Sequence, residues 1–185
     1  MTEKRKGSLL GTLFKLGLLF TLMLVLAGVG MCAYGHSKPE GHTASGSEII
    51  KAPLADVFAL EVNIERRPEW MEQVKEVRDY KEGENGTASW LEVWSDGNEF
   101  DMQLAANAKD KMLRFEIRDR NEVFNGSWTL DFEAVEGGTR VTITEQGNIP
   151  NAFVRGMFHL VASPDDTLKQ HLQILKTQAE KKAAK

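Results

Sequence analysis

The feature that most constrains this chain is an apolar run near its N-terminus. Nineteen residues from Leu16 to Tyr34 carry no formal charge, and apolar side chains recur back to Leu9. A helix of that length spans roughly 28 Å, which matches the hydrocarbon core of a bilayer. The run therefore predicts a transmembrane helix over residues 9–34.

Two kinds of processing compete with an uncleaved anchor. A secretory signal usually has a shorter apolar region that ends in a small-x-small site, and Ala27-Gly28-Val29 fits that site poorly. Lipoprotein processing at Cys32, the only cysteine of the chain, would need a small residue where Met31 stands. We therefore favour an uncleaved anchor.

The distribution of charge predicts the orientation of the anchor. Basic residues cluster in the tail of residues 1–8, whereas Lys38 is the only basic residue between the span and Lys51. By the positive-inside rule the N-terminus is cytoplasmic, and the rest of the chain lies on the outer side of the cell membrane, periplasmic or extracellular. The chain carries a net charge of −4 and no cluster of basic and aromatic residues, so we predict no nucleic-acid partner.

Beyond the anchor the sequence predicts one domain. Residues 35–46 are rich in Gly, Ser and Pro, which is typical of a linker, and His36 and His42 within it are expected to be solvated. Residues 47–180 suit a single core, and residues 181–185 form a short tail. Because no metal-ligand spacing, phosphate loop or nucleophile motif occurs, we predict no metal and no cofactor.

The pattern of elements in this domain indicates an α+β fold. A strand near residues 48–51 is followed by a short helix that opens at Pro53 and by a second near Asn63. Six strand-like runs separated by turn residues then predict an antiparallel meander. The runs cover residues 74–81, 87–95, 98–107, 112–119, 123–134 and 139–146. A long C-terminal helical stretch follows Pro150 and restarts at Ser163.

Alternation along the strands predicts which sheet face is buried. Trp128, Leu130 and Phe132 alternate with polar residues. A two-residue turn at Asp96-Gly97 would pair Val93 with Phe100 and Leu91 with Met102, and would place those four on the buried face. Trp90 and Trp94 would then point outward, where they could meet a protein partner, unless a bulge shifts the register by one residue.

Four segments resemble the START/polyketide cyclase superfamily, often called SRPBCC. They are IIKAPLADVF at residues 49–58, RPEW at 67–70, NGSWTL at 125–130 and GGTRVTITE at 137–145. The resemblance implies a helix-grip fold, in which a curved antiparallel sheet of about seven strands wraps around a long C-terminal helix. It also implies a deep, mostly apolar cavity between the two. Family members include lipid carriers, quinone-binding proteins and aromatase/cyclases, so the resemblance leaves the function open.

A cavity of this kind predicts a set of ligand-binding side chains. They are Leu91, Val93, Phe100, Met102, Phe115, Trp128, Leu130, Phe153, Met157 and Leu160, the last three from the C-terminal helical stretch. Glu145 shares the parity of Val141 and Ile143, and it is the one candidate for a catalytic group. His159 and His171 are expected at the surface or rim.

The leading functional prediction is noncatalytic binding, or transfer, of a hydrophobic small molecule or lipid at the membrane surface. A polyketide cyclase or aromatase-like enzyme, a quinone-binding accessory protein and a protein-interaction module remain alternatives. The enzyme would need a general acid or base in the cavity.

Overall fold

The computed structural model describes residues 4–161 and 163–184, which divide into two units. The helical unit contains α1 (Lys4–His36) and α3 (Ala152–Val161). The sheet unit contains the chain from Pro39 to Pro150 together with the C-terminal helix α4 (Pro164–Ala183).

The sheet unit is built on seven antiparallel strands that follow the predicted meander. Their order across the sheet is β1-β7-β6-β5-β4-β3-β2, so the first and last strands pair and every other neighbour is consecutive in sequence. The strands are β1 (Gly41–Ile50), β2 (Val74–Glu82), β3 (Ala88–Trp94), β4 (Glu99–Ala108), β5 (Met112–Asp119), β6 (Asn125–Val135) and β7 (Gly138–Asn148).

Two short helices and α4 complete this unit. Helix α2 (Leu54–Val62) begins after Pro53, and a 3₁₀ helix (Ile64–Glu69) follows it directly. The last helix, α4, buries Leu168, Leu172, Leu175 and Ala179, which recur at helical spacing and face the sheet. The prediction of an α+β helix-grip fold is confirmed.

The β3–β4 hairpin differs from the predicted register by one residue. Trp90 pairs with Met102 and Glu92 with Phe100, because the loop holds three residues and Gly97 adopts a positive φ of 90°. A shift of one residue moves every side chain of β3 to the opposite face. Trp90 is therefore buried and Trp94 half-buried on the inner face, so the prediction that both point outward is wrong.

The predicted linker is also partly strand. Residues 41–46 belong to β1, where their backbone pairs with β7 from Asn148 to Ile143. Glycine and serine are poor strand formers, but an edge strand needs only one paired neighbour, and β7 supplies it.

The C-terminal stretch forms two separate helices that belong to different units. Helix α3 packs against the end of α1 in the helical unit, whereas α4 packs in the sheet unit. Within α1, the segment Leu9–His36 is long and apolar enough to cross a membrane, although a signal sequence near an N-terminus meets the same criteria.

Candidate functional site

The inner face of the sheet unit contains an arginine held between two carboxylates. Arg67 projects from the 3₁₀ helix, and its two terminal nitrogens donate to Glu61 of α2 and Glu92 of β3, each at 3.3 Å. Its guanidinium also stacks over the ring of Phe115 at 4.7 Å. All three charged residues are buried, so their charges compensate one another inside the core.

Glu61 also contacts a histidine of α4. His171 Nε2 lies 2.6 Å from Glu61 Oε1, and both side chains are buried. Burial raises the pKa of Glu61, but the charge and hydrogen bond of His171 and the charge of Arg67 outweigh it and lower that pKa below its usual value. Glu61 is therefore an ionised carboxylate in the interior.

A second buried carboxylate lies near the edge strand. Glu145 of β7 accepts a hydrogen bond from Trp128 Nε1 at 2.5 Å and contacts His42 Nε2 of β1 at 2.6 Å. Trp128 packs edge-on against the His171 ring, with 5.1 Å between the centroids. This contact joins the residues around Glu61 to the residues around Glu145, so the two sets form one continuous cluster.

We call this cluster the interior polar network. It consists of His42, Glu61, Arg67, Glu92, Trp128, Glu145 and His171. Trp90 and Trp94 support it, because both indole nitrogens donate to Glu92, at 3.2 and 3.0 Å.

Two buried donors, one in the network and one next to it in sequence, have no acceptor among the described residues. They are Arg67 Nε and Trp70 Nε1, and both come from one turn of chain around the end of the 3₁₀ helix. Trp70 also lines a groove of about 340 Å³ between α2, the 3₁₀ helix and the C-terminal end of α4. A volume of this order accommodates a small organic ligand.

Part of the predicted ligand-binding set lies on the inner face. Met102, Phe115 and Leu130 are buried in the core, and Phe100 and Trp128 pack against it. Leu91 and Val93 lie on the other face because of the register shift, and they are buried outside the main core cluster.

The three residues predicted from the C-terminal stretch lie elsewhere. Phe153, Met157 and Leu160 belong to α3 in the helical unit, where all three are exposed. They therefore belong to a different unit from Phe115, Trp128 and Leu130. The predicted helical stripe exists, but α3 contacts α1 through another face that carries Arg155 and Gly156.

The sequence reasoning missed most of the network. His42 is half-buried against Glu145, and His171 is buried against Glu61, so the expectations of a solvated linker histidine and a surface histidine are wrong. A signal existed at Glu61, which falls four residues after Val57 and three after Phe58, on the apolar stripe of α2. A carboxylate at such a position requires a buried partner.

The network offers hydrogen-bond donors and an acid–base pair. Among the described residues no group of three or more His, Cys, Asp or Glu side chains is arranged to hold a metal ion. What the geometry provides is a buried cationic donor, a carboxylate–imidazole pair and two N–H groups that are unpaired within residues 4–161 and 163–184.

The fold and this interior define a helix-grip protein with a polar centre. Residues 41–180 match the model of the polyketide cyclase/dehydrase and lipid transport family. The chain belongs to this family, and the predicted SRPBCC resemblance is confirmed. No curated protein matches the chain in sequence.

Solved structures share the fold at low sequence identity. The aromatase/cyclase ZhuI from Streptomyces superposes with a TM-score of 0.63 at 11% identity, covering 76% of this chain and 94% of that one. The two-domain aromatase/cyclase StfQ of the steffimycin biosynthetic pathway also gives 0.63 at 11% identity and covers 78% of this chain. The present chain spans only 52% of StfQ.

An uncharacterised protein from Rhizobium leguminosarum gives a TM-score of 0.58 at 20% identity, covering 77% of this chain and 96% of that one. Identities this low establish the common fold and leave the ligand undetermined.

Proposed function

We propose that the sheet unit binds a hydrophobic small molecule or lipid without catalysis, and holds or transfers it at a membrane surface. The observation that carries this proposal is the pair of buried donors, Arg67 Nε and Trp70 Nε1, that lack an acceptor in the part of the chain that the structure describes. A buried N–H without a partner is destabilising by about 1–3 kcal/mol, so each of these two donors is expected to meet an acceptor. An oxygen atom of a bound ligand would satisfy them.

The surroundings of these donors favour a ligand that is otherwise apolar. Phe115 and Trp90 flank the Arg67 guanidinium, and Met102 and Leu130 continue the apolar inner face. The description of the family includes lipid transport, and structural neighbours include aromatase/cyclases. We therefore infer a molecule with a large apolar part and at least one carbonyl, hydroxyl or carboxylate oxygen.

The helical unit supports an uncleaved anchor. A signal peptide is removed and needs no partner in the mature protein, whereas α1 packs closely on α3 through Gly35 and Gly156. We propose that α1 remains attached, with the N-terminus cytoplasmic and the sheet unit on the outer side.

Replacing single tryptophans by phenylalanine tests the binding site. Purified full-length protein is extracted with organic solvent, and co-purified molecules are identified by mass spectrometry. Trp70→Phe removes a donor that has no acceptor among the described residues, so it should lower ligand occupancy severalfold while the protein stays folded. Trp94→Phe is the matched control, because its donor already bonds Glu92 at 3.0 Å. It should lower stability by about 1 kcal/mol.

The outcomes separate binding from packing. If Trp70→Phe keeps full ligand occupancy, the proposed donor site is wrong. If no apolar molecule co-purifies and an apolar fluorophore does not bind, the binding function itself is wrong. A quinone among the extracted molecules would identify a quinone-binding accessory protein.

The Glu61–His171 pair favours a cyclase-like enzyme as the second candidate. A carboxylate that orients a buried imidazole is the usual arrangement of a general base. His171→Gln should then abolish turnover of a bound polyketone while its binding persists. Equal loss of binding and turnover, or no turnover in the unmodified protein, would argue against an enzyme.

A further inference from the structure

Helix α3 exposes an unusual amount of apolar surface for its length. Its ten residues, AFVRGMFHLV, include no acidic side chain. The side chains of Phe153, Met157, Leu160 and Val161 are 44%, 38%, 58% and 75% exposed. A contiguous apolar patch of this kind marks a surface that meets another apolar phase.

The position of α3 on α1 identifies that phase. A Cβ atom on Gly35 would lie 1.7 Å from the carbonyl oxygen of Ala152, and one on Gly156 would lie 2.6 Å from that of Met31. Small residues that allow backbones to approach this closely are typical of helix pairs within membranes. Arg155 Nε donates to the carbonyl oxygen of Gly35 at 2.8 Å and holds the start of α3 at that level.

The contacts also give the direction of α3. Its first residue, Ala152, lies beside Gly35, whereas Gly156 reaches back to Met31, so the two helices run antiparallel. On α1 the less exposed positions are Gly28, Met31, Cys32 and Gly35, which share one helical face. Helix α3 therefore runs along the last two turns of α1 and points back toward its middle.

These two turns belong to the apolar span. The uncharged stretch Leu16–Tyr34 is about 28 Å long, and residues 28–35 occupy roughly its last 10 Å. A helix beside them lies at the depth of the headgroups and upper acyl chains, where amphipathic helices bury their apolar side by about 5–10 Å. His159 and Arg155 are the titratable side chains of α3, and Arg155 sits at the level of Gly35, toward the interface.

We propose that α3 is a second membrane-embedded element, a short helix immersed in the outer part of one leaflet beside α1. Lipid acyl chains then contact the exposed side chains of α3, which are Phe153, Met157, Leu160 and Val161. The anchor is then a spanning helix, α1, with the short helix α3 beside its outer end.

Site-specific fluorescence quenching tests this placement. Full-length protein with Cys32→Ala carries one new cysteine, labelled with a polarity-sensitive fluorophore, in vesicles of phosphatidylcholine and phosphatidylglycerol. The test positions are Met157→Cys and Leu160→Cys, which are exposed and can accept a label. Leu24→Cys on α1 is the membrane control, and Glu133→Cys on β6, whose side chain is 64% exposed, is the aqueous control.

Labels at Met157 and Leu160 should be quenched by phosphatidylcholine brominated on its acyl chains, as at Leu24. Their quenching by aqueous iodide should fall to about half or less of that at Glu133. Full iodide quenching without bromine quenching at both test positions would overturn the proposal. So would failure of the Leu24 label to contact lipid, because α1 would then lie outside the bilayer. Neither result bears on ligand binding in the sheet unit.

Discussion

At the scale of single residues, Arg67 and its neighbour Arg66 form a natural comparison. Arg67 is 4% exposed and bridges two buried carboxylates, whereas Arg66 is exposed and pairs with Glu69. Removing one partner of a buried ionic group leaves uncompensated charge and is destabilising by about 3–5 kcal/mol. A surface pair contributes only about 0–1 kcal/mol.

We therefore predict that Arg67→Met strongly lowers the free energy of unfolding while Arg66→Met barely changes it. Urea or thermal midpoints of the two variants measure the difference. Similar midpoints for both would show that Glu61 and Glu92 are stabilised without Arg67.

The lowered pKa of Glu61 predicts an acid-sensitive fold. In the unfolded chain the pKa of Glu61 is near 4.5, and in the folded protein its pKa is lower. The unfolded state therefore binds more protons as the pH falls, and ionised Glu61 stabilises the fold above pH 4.5. The contribution is lost as pH falls through the lowered value. His171 of α4 and Arg67 are the groups that stabilise the negative charge of Glu61.

Glu61→Gln should consequently flatten the fall in stability below pH 4.5. Glu69→Gln serves as the control, because Glu69 is a solvent-screened surface carboxylate. Its replacement should leave the fall in stability at acid pH unchanged. Thermal midpoints measured across the acid range decide between them. An unchanged acid limb in Glu61→Gln would place the sensitivity on another carboxylate.

At the scale of elements, the β3–β4 turn decides which face of β3 enters the core. Gly97 has φ of 90°, and a Cβ atom there would meet nothing within 4 Å. Any penalty for a side chain therefore arises from the backbone conformation alone. Left-handed backbone is unfavourable for L-residues by roughly 1–2 kcal/mol, and asparagine tolerates it better than most residues.

Gly97→Val should thus lower the midpoint of unfolding, and Gly97→Asn should largely preserve it. Gly41→Val in β1 is the matched control, because Gly41 lacks a positive φ and the nearest atom to its added Cβ lies 3.8 Å away. Equal stability of Gly97→Val and Gly41→Val would indicate that the loop adopts another turn type.

At the scale of the whole molecule, the sequence divides into a part that suits lipid and a part that suits water. The span carries only Lys15 as a charge, whereas nearly all acidic residues lie beyond it. We expect the full-length protein to stay with membranes after carbonate extraction, because a helix of this length is inserted effectively irreversibly. Recovery in the soluble fraction, with the first 34 residues missing, would show a cleaved signal.

Protease added to intact cells should digest the sheet unit, since we place it on the outer side. A tag at the N-terminus should survive the same treatment. Protection of the sheet unit together with digestion of the tag would reverse the orientation of the anchor.

The local elements follow from the amino-acid sequence without reference to their contacts. Local sequence patterns and backbone preferences account for three features. They are the alternation at Trp128, Leu130 and Phe132, the turn residue Gly137, and the helical stripe from Leu168 to Ala179. The meander, the α4 helix and the apolar span could therefore be predicted before any contact between them was known.

The contacts of individual side chains, in contrast, depend on how distant segments pack together. One extra residue in a loop moved Trp90 inward, and burial of His171 depended on Glu61, 110 positions away in sequence. The apolar stripe of Phe153, Met157 and Leu160 is equally compatible with contact to a sheet, to another helix or to lipid, because apolar contact is not directional. Only the close approach of Gly35 and Gly156, a property of two distant segments together, selects α1 as the partner of that helix.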